Sequence, residues 1–343
     1  MCSSDLNKKK VTVIRLPVHS KNPILIFINS LILIFVILFF NISIVHARSR
    51  APAWSCLFAT KITRRKFVTT FHGTYNFNNS IKKFYNSVMV RSDLLIAGSN
   101  FIFSHINENY SKYLNPKKKF LVIFRGINVD YFDSNKIKEN EEKKLILQWN
   151  IQKDKKLILL PGRLTSWKGQ EMFIEALNLV NQELKQEVFN AVILGDAQGR
   201  DVYKKKLLRL VEHYRLNKQV KFVDHCTHMP LAYKISNLVV STSSEPDALP
   251  IFSVEAQSME KLIIASNIGG SRETIINDKT GLLFEAGKAK SLSQKIIEAL
   301  KLDDSTLKIM GNEGRKNVIK KFNIEKMCFS TYSEYKKDRK SVV

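Results

Sequence analysis

Short apolar runs separated by polar segments of helical period make up the second half of the chain. The pattern predicts strands at residues 156–160, 190–194, 220–223, 238–241, 262–266 and 281–284. Helices are predicted between them at residues 169–180, 203–213, 229–235, 251–259 and 272–276. This alternation predicts an α/β domain with a parallel sheet that carries helices on both faces. In such a sheet, ligands bind at the carboxyl ends of the strands.

The first half has a less regular pattern, and it also predicts strands and helices in turn. Strands are expected at residues 10–18, 42–46, 67–71, 94–97 and 121–124, and helices at 81–91 and 99–110, the latter capped by Ser99. The charged stretch 135–144 is typical of a domain linker. We therefore divide the chain into domains at 1–144 and 145–322. A C-terminal helix at 323–343 is expected to pack back toward the first domain.

One segment of the first half, residues 24–45, contains no charged residue. Its length suits a transmembrane helix of about 23–45, since roughly 20 apolar residues cross a bilayer. The competing interpretation is a helix that covers the sheet, which would normally show polar residues outside, whereas only Asn29 and Ser30 interrupt this run before Asn41. We predict a helix at about 23–40 that packs partly on the sheet and partly at the membrane surface.

Charge and cysteine content narrow the range of partners. The 343 residues include 55 Lys and Arg against 31 Asp and Glu, a formal net charge of +24, which favours anionic partners such as nucleotides or an anionic membrane surface. A solvated lysine-rich surface is the alternative explanation. The basic residues are dispersed and no nucleic-acid-binding motif is present, so no nucleic-acid partner is expected. Four scattered cysteines without metal-ligand spacing suit a reducing cytoplasm and predict no metal site.

The clearest chemical signal follows the predicted strand 156–160. There the segment GRLTSWKGQ places Gly162, Arg163 and Lys168 in a short loop that opens a helix. Two cations beside the exposed N–H groups of a helix start form a site for a diphosphate. The alternative is a surface loop with incidental charge.

Two further segments carry acids or glycines just after predicted strands. Asp247 and Glu255 stand eight positions apart, where one carboxylate suits sugar hydroxyls and the other suits both hydroxyls of a ribose. Both acids would also be favoured near a helix start for electrostatic reasons alone. Gly269 and Gly270 allow the backbone to approach a ligand closely, and Glu273 follows in the next helix.

The order and spacing of these segments resemble family 4 of the retaining glycosyltransferases. GRLTSWKGQ is similar to the family's donor-diphosphate loop, and PDALPIFSVEAQSM to its E-x7-E motif; SNIGGSRETI and GLLFEAG then follow in the family's order. TTFHGTYN and FRGINVDYF resemble first-domain segments. The resemblance implies the GT-B fold, an α/β architecture of two Rossmann-like, doubly wound parallel-sheet domains that face a cleft.

Position by position, the resemblance also implies roles. Arg163 and Lys168 would hold the diphosphate of a nucleotide-sugar donor and stabilise the leaving nucleotide. Glu255 would bind the ribose, and Asp247 the transferred sugar. His72 would face that sugar from the first domain. Near the donor phosphates and ribose would lie Gly162, Gly269, Gly270 and Glu273.

Two departures from the family pattern change the expectations. Asp247 stands where the family has Glu, which weakens the inferred contact with the sugar. The family's opening strand and Gly-rich loop are not recognised, so we expect the first domain to be incomplete by on the order of 50–60 residues. This predicts feeble or absent turnover.

These observations favour a glycosyltransferase that moves a sugar to a lipid-linked or glycan acceptor, with retention, in bacterial surface glycan synthesis at the cytoplasmic membrane face. The chain has no D-x-D motif, so no metal or other cofactor is expected. The alternative is a catalytically inactive, donor-binding remnant of such an enzyme.

Overall fold

The computed structural model describes residues 11–18, 20–75 and 77–340. The chain forms two compact units. The first unit comprises the residues up to Gly98, Ile102–Val122 and the residues from Ser333 onward; the second comprises Ser99–Phe101 and Ile123–Tyr332. The division falls between Val122 and Ile123, ahead of the boundary at 144 expected from the sequence. The reason is that Ile127 and Phe132 are buried in the hydrophobic core of the second unit.

The first unit contains a four-stranded parallel sheet. Its strands, in spatial order, are β1 (Ile44–Ala47), β2 (Lys66–Phe71), β3 (Leu94–Ala97) and β4 (Lys119–Val122). Its helices are α1 (Pro23–Phe39), α2 (Arg50–Thr63), α3 (Ser80–Asn86) and most of α4 (Asn100–Tyr110). Residues 67–71 and all of β3 are buried, as expected for strands covered on both faces.

The second unit contains a six-stranded parallel sheet. Its strands are β5 (Lys156–Pro161), β6 (Phe189–Leu194), β7 (Val220–Val223), β8 (Leu238–Ser241), β9 (Leu262–Ser266) and β10 (Gly281–Phe284). The spatial order β10-β9-β8-β5-β6-β7 places the chain reversal between β5 and β8. In doubly wound sheets the ligand crevice lies at the carboxyl ends of the two strands that flank this reversal.

Helices connect and cover these strands. They are α5 (Glu139–Gln148), α6 (Gln170–Leu184), α7 (Asp201–His213), α8 (Met229–Ile235), α9 (Ile251–Ser258), α10 (Ser271–Thr274), α11 (Ala289–Lys301), α12 (Asp304–Lys321) and α13 (Ile324–Lys340). The last helix belongs to the second unit up to Tyr332 and to the first unit from Ser333. Within the first unit, the Tyr335 hydroxyl lies 2.5 Å from His46 Nδ1.

Two expectations from the sequence were wrong. A strand was predicted at 10–18, but the described residues 11–18 belong to no strand, and Val11, Val13 and Ile14 are exposed. Alternation alone forms no strand without a partner, and Pro17 cannot donate to a ladder.

The stretch 135–144 is not a linker, because α5 begins within it at Glu139. Three glutamates in the first turn of α5 favour a helix start, and its buried Leu145 holds the helix on the core.

Helix α1, at Pro23–Phe39, confirms the helix predicted at about 23–40. Asn22 caps it, accepting a hydrogen bond from Ile24 N at 2.9 Å, and Pro23 occupies the first helical position. Asn29 and Ser30 are 2% and 3% exposed and face inward. Among the described residues, no helix combines the length and apolar character needed to cross a bilayer.

Candidate functional site

The loop between β5 and α6 positions the two predicted diphosphate cations. Gly162 starts it with φ 150°, and Gly169 ends it with φ 71°, both conformations that favour glycine. Gln170 Nε2 donates to the Arg163 carbonyl at 2.9 Å, which fixes the loop backbone. The Arg163 side chain is exposed and makes no ion pair or hydrogen bond with the described residues. Arg163 is therefore available to an anion.

Lys168 and Asp247 meet at the carboxyl ends of β5 and β8. Lys168 Nζ donates to Asp247 Oδ2 at 2.9 Å, and the two side chains are 12% and 25% exposed. The ammonium also lies 4.2 Å from the centroid of the Trp167 ring and 5.2 Å from that of Phe252. Aromatic faces attract a cation and shield it from water, so this lysine is held in one place.

Glu255 lies on α9, mostly buried, with a single described hydrogen-bond donor. The Tyr233 hydroxyl of α8 donates to Glu255 Oε2 at 2.8 Å, and Tyr233 itself is fully buried. Burial raises the pKa of Glu255, while the hydrogen bond from Tyr233 and the charge of Arg125 lower it in part. Tyr233 therefore both orients the carboxylate and favours its charged form.

The glycines of this edge allow loops to pack backbone against backbone. Gly270 N donates to the Asp247 carbonyl at 2.8 Å, and a Cβ on Gly270 would lie 2.3 Å from the Ala248 carbonyl oxygen. A Cβ on Gly269 would lie 2.7 Å from Asp247 O. These glycines hold the loop that carries Asp247, and their predicted proximity to a donor stays a prediction.

Similar contacts tie together the neighbouring loops. A Cβ on Gly169 would lie 2.0 Å from Thr242 O, and one on Gly195 would lie 2.0 Å from Gly162 O. Real Cβ atoms do not approach this closely, so three loops at this edge depend on glycine.

Glu273 is occupied within the second unit. Its carboxylate accepts hydrogen bonds from Phe101 N at 2.6 Å and from Asn100 N at 2.8 Å. The side-chain amide of Asn100 also donates to it at 2.9 Å. Glu273 thus fixes the backbone of Asn100 and Phe101, a role that the sequence did not indicate.

His72 lies in the first unit, directly after β2. Arg48 Nε donates to His72 Nε2 at 3.1 Å, so this ring nitrogen acts as the acceptor. The structure thus places Arg163, Lys168, Asp247 and Glu255 at one edge of the second sheet and His72 in the first unit.

Buried hydroxyls around this edge were not singled out from the sequence. Side-chain oxygens that have no hydrogen-bond partner in the described part of the chain belong to Thr165, Ser241, Ser243, Ser253 and Ser266. Four of them lie at or just beyond the carboxyl ends of β5, β8 and β9, and Ser253 lies in the first turn of α9. Buried polar groups normally have partners, so this edge offers acceptors and donors to a polar ligand.

Sequence reasoning also missed Tyr233 and Trp167. A tyrosine in the apolar face of a short helix is ordinarily a core residue, so no pattern distinguishes Tyr233. Trp167 stands next to Lys168, and an aromatic residue beside a loop cation was the available signal.

The fold and this edge together define a GT-B protein that carries a loop with two cations at the reversal of its second sheet. Comparisons with known proteins agree. A family described as "Glycosyl transferases group 1" matches residues 141–317, and "Glycosyltransferase Family 4" matches residues 4–131.

Three relatives indicate the range of similarity. A crystal structure of a glycosyltransferase from Rickettsia africae is 36% identical, with a TM-score of 0.88, and the match covers 97% of this chain and 86% of that one. A glycosyltransferase of Methanocaldococcus jannaschii is 26% identical over 81% of this chain and 68% of its own length. The UDP-Gal:alpha-D-GlcNAc-diphosphoundecaprenol alpha-1,3-galactosyltransferase of Escherichia coli is 27% identical over 62% of this chain and 53% of its own length.

This chain belongs to the group 1, family 4 glycosyltransferases. The expected absence of an opening strand and loop is not tested by these matches and stays a prediction.

Proposed function

We propose that this glycosyltransferase moves a sugar from a nucleoside-diphosphate sugar to a lipid-linked or glycan acceptor with retention of configuration. The proposed setting is bacterial surface glycan synthesis at the cytoplasmic face of a membrane. The name of the Escherichia coli relative supports a nucleotide-sugar donor and a lipid diphosphate acceptor. The apolar outer face of α1 supports work at a membrane surface.

The observation that carries the proposal is the placement of Lys168. Its ammonium is shielded by two aromatic rings and has one carboxylate partner, while Arg163 nearby in the loop has none among the described residues. A diphosphate would pair with Arg163 and take the place of Asp247 at Lys168, where the partial burial of the ammonium strengthens the attraction. Asp247, released from Lys168, would then accept hydrogen bonds from the hydroxyls of the donor sugar.

The rest of the edge suits the nucleoside. Glu255, oriented by Tyr233 at 2.8 Å, presents a fixed carboxylate that can accept from both ribose hydroxyls. The unpartnered serine hydroxyls at the ends of β8 and β9 supply further polar contacts.

In the proposed reaction, the bond between the anomeric carbon and the donor phosphate oxygen breaks as the acceptor oxygen bonds to that carbon, and the proton of the acceptor hydroxyl passes to the released phosphate. Negative charge grows on the leaving diphosphate, where Arg163, Lys168 and the start of α6 stabilise it. Preorganised cations of this kind lower the barrier without the help of a metal ion, which is our expectation for this enzyme.

Calorimetric titration of the full chain with UDP and with GDP tests the proposal. Arg163→Ala combined with Lys168→Ala should weaken binding by roughly tenfold to a hundredfold, the scale of charge-assisted hydrogen bonds. A charge-matched control, Lys205→Ala with Arg209→Ala on the exposed face of α7, should bind like wild type. Equal affinities of wild type and the loop variant would refute the donor site.

A transfer assay with mixed radiolabelled sugar nucleotides separates the two functions. Sugar transfer that depends on Arg163 and Lys168 supports the enzyme. Nucleotide binding with no transfer to any lipid or glycan acceptor would favour the inactive donor-binding protein instead.

A further inference from the structure

Helix α1 in the first unit presents apolar side chains where a surface helix normally presents polar ones. Phe27, Phe35 and Phe39 are 62%, 65% and 70% exposed, and no residue of α1 is charged. Its polar residues, Asn29 and Ser30, are turned inward, where Asn29 Nδ2 donates to the Pro17 carbonyl at 3.2 Å. An apolar face of this size is typical of an interaction surface.

An apolar groove of about 600 Å³ continues this face between α1, α2 and α3. We call it the α1 groove; its lining is mostly apolar and includes Phe27, Trp54, Phe58, Ile62, Phe84 and Lys21. Its volume falls within the range of sites that enclose small organic ligands. Within the part of the chain that the structure describes, Lys21 is the one charged residue of the lining, so the groove suits a hydrocarbon.

A second cavity of about 280 Å³ lies beside the amino ends of β2, β3 and β4. We call it the basic pocket; its charged lining residues are Lys61, Arg64, Arg65, Lys66, Arg91, Lys118 and Asp93. Six cations thus surround one carboxylate. Asp93 accepts from Phe67 N at 2.8 Å and pairs with Lys118 at 2.8 Å, so it is already occupied.

Half of these six cations lack partners in the described part of the chain. The side chains of Lys61, Arg64 and Lys66 make no hydrogen bond or ion pair there. Arg65 Nε is buried without an acceptor, although its Nη2 donates to Asn41 Oδ1 at 3.0 Å. A buried donor without an acceptor is rare, so the basic pocket is built for an anion.

Arg91 joins the basic pocket to the α1 groove. Its guanidinium carbon lies 5.0 Å from the ring centroid of Phe84 and 5.9 Å from that of Trp54, two residues of the groove lining. Helix α2 also contributes to both cavities, with Phe58 and Ile62 in one and Lys61 in the other. One ligand with an anionic head and an apolar tail would therefore match both cavities.

The net charge of the first unit favours a lipid over a second copy of this chain as the partner of these two cavities. Residues 11–122 contain fifteen Lys and Arg but only two acids, Asp93 and Glu108. Two such units brought face to face would repel, because opposed like charges are unfavourable at an interface. An anionic bilayer instead attracts basic residues at its surface.

We propose that the basic pocket binds the phosphate of an anionic membrane lipid while the α1 groove takes its hydrocarbon chain. The pocket lies at the amino ends of the strands, the edge opposite to the one where α/β sheets bind substrates. It is therefore a lipid-anchoring site separate from any acceptor site, and it does not depend on the proposed transfer reaction.

Flotation of the full chain with vesicles tests the headgroup site. Wild type should bind vesicles of phosphatidylcholine mixed with phosphatidylglycerol, and Arg64→Gln with Arg65→Gln should weaken this binding by about tenfold or more. Lys205→Gln with Arg209→Gln removes the same charge from α7 and should leave the binding near wild type. Equal weakening by both pairs would overturn the site, because only net charge would then matter.

The variant must remain folded, which thermal unfolding followed by circular dichroism establishes. Should the arginine pair lower the melting temperature, Lys61→Gln with Lys66→Gln provides the same test from side chains that have no partners. Titration with inorganic phosphate separates the two sources of phosphate. Binding of inorganic phosphate through Arg64 and Arg65, without any preference for anionic vesicles, would overturn the lipid assignment.

A separate measurement tests whether the α1 groove takes the hydrocarbon chain of the lipid. Vesicles with brominated acyl chains should quench Trp54 emission, because this side chain lines the α1 groove. The quenched fraction should disappear in Trp54→Phe, which keeps Trp149 and Trp167 of the second unit. Equal quenching in wild type and in the variant would show that acyl chains do not enter the groove.

Discussion

In a folded protein, large apolar side chains are mostly buried and charged side chains are mostly exposed. The outer face of α1 and the interior between α8 and β9 depart from this pattern in opposite ways. On α1, phenylalanines face solvent. In the second unit, Glu255 and Lys261 are mostly withdrawn from water, and Lys261 Nζ donates to the Lys234 carbonyl at 2.8 Å. Helix α11 shows the usual pattern, because it buries Leu292 and Ile296.

The difference teaches what each region requires of its surroundings. An exposed apolar face is unfavourable in water until something apolar covers it. A buried charge is unfavourable until a partner of opposite charge or a hydrogen bond compensates it. The exposed apolar face of α1 therefore indicates contact with a large, nonspecific apolar surface. The buried charges of the second unit indicate a small, polar ligand that binds with fixed geometry. The following substitutions test this contrast, starting with the largest expected effect.

Removing the buried carboxylate should cause the largest loss. Glu255→Ala should weaken nucleoside-diphosphate binding by roughly tenfold to a hundredfold, because the ribose loses its acceptor and Tyr233 loses its partner. Isothermal titration with UDP measures it. Glu175→Ala, an exposed acid on α6, is the control and should bind like wild type. Unchanged affinity in Glu255→Ala would mean that this buried charge serves the fold alone.

Removing the buried ammonium should stabilise the protein. Burial lowers the pKa of Lys261 to about 8 from its usual 10.5. Below pH 8 the lysine is charged in both the folded and the unfolded state, and the folded state carries the desolvation penalty. Between pH 8 and 10.5 the folded state releases the proton first, so wild-type stability rises.

Lys261→Met should therefore raise the free energy of unfolding at pH 7 by about 1–3 kcal/mol. This advantage should shrink as the pH rises from 8 to 10.5. Urea unfolding at a series of pH values provides the measurement. An advantage that stays constant across that range would mean that the ammonium is not the source of the penalty.

Polar substitution on the outer face of α1 should have the smallest effect on stability. Phe35→Gln with Phe39→Gln should change the free energy of unfolding by no more than about 0.5 kcal/mol, since both side chains are already in water. Ile37→Gln, at a position 1% exposed, is the contrasting control and should destabilise by about 3 kcal/mol. Urea unfolding compares them, and similar losses in both would show that the outer face is covered within the folded chain.

The sequence predicted the second unit better than the first for a physical reason. The strands β8, β9 and β10 begin and end where the predicted apolar runs do, because strands buried on both faces are nearly continuous apolar segments. In the first unit, the alternation at 10–18 looked like a strand but lacked a neighbour. The inward turn of Asn29 and Ser30 was equally hidden, since a nearly uniform apolar helix has no periodicity that defines a face.

In the candidate site, too, some features could be predicted from the sequence and others could not. Loop residues such as Arg163 and Lys168 follow strands directly, so their common edge could be predicted. The contact of Tyr233 with Glu255 joins α8 to α9, and that of Glu273 with Asn100 joins segments far apart in sequence. Pairings of this kind depend on tertiary packing and have no local pattern.

The glycine contacts described above limit how this enzyme's preference for substrates can change. Gly169, Gly195 and Gly270 each face a carbonyl oxygen that leaves no room for a methyl group. Random mutagenesis of these loops would therefore yield mostly unfolded proteins at those three positions. Directed evolution toward another donor sugar would advance through side chains that already point into open space. A focused library around Asp247 that keeps the three glycines fixed would retain the most folded members.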